Sequence, residues 1–68
     1  MIYREDRITK QLFRRAGNGS EEYIARKREW EITDDAIRAF YDSSDTQRIT
    51  EKEAIKNMEL QNALVVKE

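Results

Sequence analysis

Apolar residues recur along this chain at intervals of three and four, set among long charged runs. In "REDRITKQLFRRA", Ile8, Leu12 and Phe13 fall along one side and Arg4, Arg7, Lys10 and Arg14 around the other, as in an amphipathic helix. Glu5 and Asp6 lead this segment and Arg14 and Arg15 close it, which suits the helix dipole. The glycines flanking Asn18 mark a turn, after which Ser20 reads as an N-cap with Glu21 and Glu22 in the first turn. That second helix buries Tyr23 and Ile24. Thr33 caps a third, with Asp34 and Asp35 at its start and Ile37, Phe40 and Tyr41 as its inner stripe. Serine and aspartate in "DSSDTQR" compete for backbone hydrogen bonds and end it. Thr50 and Glu53 then form a capping box for a last helix carrying Ala54, Ile55, Met58, Leu60, Leu64 and Val65. The pattern predicts an all-α fold, a bundle of four short helices over 5–15, 20–29, 33–43 and 50–65, in a single domain 1–68 with 66–68 frayed.

Composition adds constraints. A chain of 68 residues without cysteine has no disulfide framework, and without histidine it lacks the commonest metal ligand. A domain this small buries only about 60% of its unfolded surface, so a protein partner is the remaining means of stabilising it. Charged residues make up 40% of the chain, yet the net charge of −1 and six aromatics argue against disorder. No run of apolar residues is long enough to span a bilayer, and "MIYREDR" lacks the apolar centre of a signal peptide. A soluble, cytoplasmic domain is expected, with no membrane association.

The small net charge hides a dipole. Residues 1–30 carry eight Lys/Arg against five Asp/Glu, and residues 31–68 carry five against nine. The basic half is too weak for strong phosphate-driven binding, while the acidic half suits a basic protein. Contacts to DNA phosphates, if made, fall to Lys27, Arg14 and Arg15.

Catalysis is not expected. There is no cysteine nucleophile and no histidine base, and Ser20, Ser43 and Ser44 lack a partner to activate them. No small-molecule substrate, cofactor or metal is implied. "DSSDTQRITEKE" overlays a calcium loop at Asp42, Ser44, Thr46, Ile49 and Glu53, but Gln47 stands where the turn glycine belongs. A polar linker followed by a capping box accounts for the same residues without an ion.

One segment has a more specific likeness. "WEITDDAIRAFYDSSD", Trp30 to Asp45, resembles the signature of the Hha/YmoA family of haemolysin-expression modulators, roughly Y-E-L-S-D-[DN]-E-L-x-x-F-Y-S-A-A-D. Trp30 replaces the tyrosine, Glu31, Asp34, Phe40, Tyr41 and Asp45 are kept, and Ile32, Thr33 and Ile37 are conservative changes. Upstream, "LFRRAGNGSEEYIARKREWE" is similar to the family's L-R-R-C … L-E-R-V-I-E-K-N-K-Y-E, one residue shorter at the glycine turn. After the signature the chain departs, and "MELQNALVVKE" stands where the family has proline and tryptophan.

The resemblance implies a small helical co-regulator that binds the N-terminal dimerisation region of the nucleoid protein H-NS, or its paralogue StpA. Such a protein modulates silencing of horizontally acquired or virulence genes in the bacterial nucleoid and meets DNA only through that complex. The family's acidic contacts fall on Asp45 and Glu22, facing partner arginines, with Trp30, Ile37, Phe40 and Tyr41 as the core behind them. Lys27 falls on a family lysine, whereas Glu29 occupies the place of another. The alternative is a small helical adaptor of plasmid or phage origin that uses the wide apolar face of the last helix on another partner.

Overall fold

The computed structural model describes residues 1–17 and 19–65, and the expected fraying at 66–68 lies outside them. The fold is not the all-α bundle. A five-stranded antiparallel sheet carries one helix on each face. The strands are β1 (Ile2–Asp6), β2 (Leu12–Ala16), β3 (Gly19–Ile24), β4 (Glu29–Ile32) and β5 (Thr46–Ile49), in the spatial order β4-β3-β2-β1-β5. Helix α1 (Asp34–Tyr41) and a 3-10 turn (Ser43–Asp45) connect β4 to β5 on the opposite edge. Helix α2 (Glu51–Leu64) follows.

The two expected N-terminal helices are therefore two hairpins. Residues 2–15 turn back on themselves, pairing Ile2 with Arg15 through Glu5 with Leu12. Asp6 makes that turn. Its Oδ1 accepts from the backbone N–H of Ile8 (2.8 Å) and of Thr9 (2.9 Å), and Lys10 takes up a left-handed φ of 66°. Ile8 is at the tip and exposed rather than on a buried stripe. β2 and β3 pair as far as Ala16 with Gly19, so only positions 17 and 18 separate them. Gly17 has φ +62°, which the absence of a Cβ permits at no cost. The glycines thus close a hairpin instead of parting helices, Asn18 itself lying outside the described residues. Ser20 is in β3 and caps nothing; "ARKR" (25–28) is the next turn, with Arg28 at φ 55°.

Both C-terminal helices lie where their caps put them. The Thr33 hydroxyl accepts from the N–H of Ala36 (3.0 Å), and Asp34 and Asp35 occupy the first turn of α1. At α2, Thr50 Oγ1 accepts from the N–H of Glu53 (3.1 Å) while Glu53 Oε1 accepts from the N–H of Thr50 (2.9 Å). The positions of the overlaid calcium loop are dispersed over these elements. Thr46 is buried in β5 and Glu53 is committed to its box.

Sheet alternation decides which helix each strand residue meets. On β2, Leu12 points to one face and Phe13 to the other, and both are buried. Leu12 joins Tyr23 and Ala54 beneath α2, surrounded by Tyr3, Ala25, Trp30, Ile49 and Met58. Phe13 joins Ala36, Ala39 and Phe40 beneath α1. The rings of Tyr23 and Trp30 tilt together with centroids 5.2 Å apart, and the Tyr23 hydroxyl donates to Asn62 Oδ1 on α2 (2.7 Å). Asn57, buried in α2, donates to Glu5 Oε2 (2.7 Å) and to the Lys10 carbonyl (3.0 Å), pinning the helix to β1 and its turn. No helix among the described residues is long and apolar enough to cross a membrane.

Two outcomes follow for stability. Leu12→Ala should cost about 2–5 kcal/mol, a large part of the roughly 3–10 kcal/mol expected for a domain of this size, read as a lowered urea midpoint. Hydrogen bonds from Thr9 and Ile8 hold the Asp6 carboxyl below its usual range, and those from Thr50 do the same for Glu53. Their contributions are complete at neutral pH and are lost as pH falls through the lowered values. Urea midpoints should therefore be flat near neutrality and decline only in acid.

Candidate functional site

A cleft opens along one flank of α1, between that helix, the 3-10 turn and the end of the β1–β2 hairpin. Its volume is about 440 Å³. Phe13, Ala39 and Thr46 contribute to its lining together with five carboxylates, Asp6, Glu22, Asp35, Asp42 and Asp45. Arg38 is the one cation in this lining, and its nearest acid is Asp35 at 3.6 Å. Both of those side chains are more than two-thirds exposed, so the pair adds little and leaves the cleft negative.

The fold sets each acid separately. Glu22 projects from β3, half-buried, and its Oε1 accepts a hydrogen bond from the Thr33 hydroxyl (2.8 Å). The same hydroxyl caps α1, so one group both starts the helix and aims Glu22. Asp6 is held by the turn amides, and Asp42 Oδ1 accepts from the N–H of Ser44 (3.3 Å). Asp45 ends the 3-10 turn, where its carbonyl accepts from the N–H of Arg7 (3.1 Å) and prolongs the β1–β5 pairing. Its carboxylate is exposed and has no hydrogen bond or ion pair among the described residues. Behind it, the buried Thr46 is fixed by Arg4, which donates from Nε to Oγ1 (2.7 Å) and from Nη2 to the carbonyl (3.0 Å).

Glu22 and Asp45, the acids singled out from the sequence, line this one cleft. The aromatic and aliphatic residues expected behind them do not form a single support. Phe40 packs with Phe13, Ala36 and Ala39 beside the cleft. Trp30 lies on the other face of the sheet, below α2. Ile37 is half exposed and Tyr41 is 91% exposed, so the inner face of α1 runs through Ala36 and Ala39 instead.

The basic residues are dispersed as well. Arg14 pairs with Glu21 across the hairpin at 2.6 Å and lies 4.2 Å over the Trp30 ring, which commits it to the fold. Lys27 pairs with Glu31 at 2.7 Å. Arg15 is exposed on β2 and borders a separate recess with Phe40 and Tyr41. No common surface joins the three.

Asp6, Asp35 and Asp42 also line the cleft, although the sequence alone does not single them out for it. "DRIT" did carry a signal for Asp6, since aspartate commonly accepts from backbone amides two residues on in a turn. Asp35 was legible as a first-turn acid of α1, and Asp42 as a helix-ending residue and a position of the overlaid calcium loop. Among the described residues no group of three or more carboxylates is close enough to hold a metal ion. The cleft is a distributed negative surface.

Fold and cleft together define a small two-helix, five-strand domain with an acidic recess. No family model, curated protein or solved structure matches the chain.

Thr33→Ala should remove the α1 cap and the Glu22 anchor together. The expected loss is about 1 kcal/mol in urea denaturation, accompanied by NMR shift changes at both Ala36 and Glu22.

Proposed function

We propose that this chain is a non-catalytic protein-binding module whose acidic cleft receives arginine side chains of a basic partner. The observation that carries this reading is the convergence of Glu22 and Asp45, from distant parts of the sequence, on one recess with three further carboxylates. A guanidinium offers a planar fork of donors matched to a carboxylate, and such charge-assisted bonds are about twice as strong as neutral ones. Asp45, without a partner among the described residues, is the residue to engage first. Glu22 and Asp6 are already oriented by hydrogen bonds and lose little freedom on binding. The recess volume lies within the roughly 300–1,000 Å³ of ordinary ligand sites.

The candidate partner is the N-terminal dimerisation region of H-NS or StpA, with modulation of gene silencing at the bacterial nucleoid as the outcome. Its support is the resemblance of Trp30–Asp45 to the Hha/YmoA signature, a segment that spans β4, α1 and the 3-10 turn here. Because the surrounding fold is α/β and not a helical bundle, the family's docking geometry does not carry over. The cleft provides the contact surface in its place.

A second reading has one observation in its favour. Leu60 and Leu64 are mostly exposed at the end of α2 and line, with Val65, a recess of about 580 Å³. An adaptor for a different partner would use that face.

Titration of the labelled chain with the H-NS N-terminal region, followed by NMR at low salt, separates the two. Shifts confined to the cleft, lost at high salt and weakened about tenfold by Asp45→Asn, are expected from one charge-assisted bond. No shift with H-NS would remove that partner. Binding that survives Asp45→Asn with Glu22→Gln but fails in Leu60→Ala with Leu64→Ala would move the site to α2.

A further inference from the structure

The geometry points to a second binding surface that does not depend on the cleft: the open edge of β4, which pairs with β4 of a second copy of this chain. β4 ends the sheet, so among the described residues one row of its backbone N–H and C=O groups has no strand beside it. An open edge of this kind is a template for another strand. β5 is the other open edge, and charge decides between them.

Two identical strands meeting antiparallel about a two-fold axis place the start of each against the end of the other. β4 is preceded by Arg26, Lys27 and Arg28 and followed by Asp34 and Asp35, so this operation brings opposite charges together at both ends. β5 is preceded by Asp42 and Asp45 and followed by Glu51, Lys52 and Glu53, so both of its flanks are net acidic. Its self-pairing would bring acids against acids. The edge at β4 is self-complementary and the edge at β5 is self-repelling.

Register follows from the same reasoning. In a two-fold antiparallel pair, opposed residues share a sheet face, so the axis passes through a residue and not between two. An axis through Trp30 would set Glu29 against Glu31 twice. An axis through Glu31 sets Trp30 against Ile32 of the second copy twice, and directs Arg28 towards Asp34. The single Glu31–Glu31 approach that remains is offset by Lys27, already 2.7 Å from Glu31 in each chain. The apolar surface also agrees. Ile32 is 68% exposed and borders, with the exposed Ile37 and Tyr41, a recess beside this edge. The pair covers Ile32 with the Trp30 ring of the other chain.

Cysteine scanning and sedimentation test the arrangement, helped by a chain that contains no cysteine. Directly opposed residues have Cα atoms about 4.5–5.5 Å apart, within the roughly 4.4–6.8 Å that a disulfide spans. Glu31→Cys in the full chain should therefore oxidise to a covalent dimer, whereas Glu29→Cys, set against Thr33, should not. In sedimentation equilibrium the wild-type chain should dimerise, and Arg28→Glu or Asp34→Arg alone should weaken the dimer on the order of tenfold. Mixing Arg28→Glu with Asp34→Arg should restore it, because both ends of the mixed pair regain opposite charges. Circular dichroism checks that each variant keeps its fold. A wild-type chain that remains monomeric at millimolar concentration overturns the proposal. So does crosslinking through Glu29→Cys as efficient as through Glu31→Cys, or a mixture no tighter than its components.

Discussion

Two neighbouring side chains on the central strand hold this domain together. Leu12 and Phe13 are adjacent in sequence and point to opposite faces of the sheet, so β2 anchors both helices at once. Burying each contributes about 1.5–3 kcal/mol. In a domain with few large buried side chains, neither face has much to substitute for them. The helices answer with small residues. Ala54 meets the cluster around Leu12, and Ala36 and Ala39 meet Phe13, so each helix backbone comes close to the sheet.

A chain with 40% charged residues folds on so small a core because its polar groups are used structurally. Arg14 bridges Glu21 and covers Trp30, Arg4 ties down Thr46, and Asn57 clasps both β1 and its turn. Among the described residues no buried side-chain nitrogen or oxygen is left without a hydrogen-bond partner. The charges that remain free are sorted in space. Five acids line the cleft, and the basic 25–28 turn joins β3 to β4, the edge strand opposite β5. This sorting gives the molecule its chemical character, and it would be invisible in the net charge of −1.

The helices were legible in the sequence because their signals are local. A capping hydroxyl, acids in the first turn and a glutamate three positions on need nothing from elsewhere in the chain. The hairpins were not legible, and the reason is physical. The N-terminal half is rich in arginine, lysine and glutamate, which favour helices, and strand pairing overrode that preference. Sheet alternation was masked as well, because Leu12 and Phe13 are consecutive and each is covered by a different helix. A contiguous apolar pair reads as one face of a helix until the second covering layer is known. Ile8 then completed a false helical stripe from the tip of a turn. For the cleft, Glu22 and Asp45 could be singled out individually, but their place on one cleft depends on the sheet order β3-β2-β1-β5, which no local pattern encodes.

Ala39 is both a floor of the acidic recess and a contact of α1 with the sheet. The distance between α1 and the strands is therefore governed by the small side chains of Ala36 and Ala39. A bulkier side chain there would raise the helix, part Asp35 and Asp42 from Glu22, and broaden the aperture without altering any charge. Selectivity for what enters can thus drift through packing alone, with the electrostatics held constant.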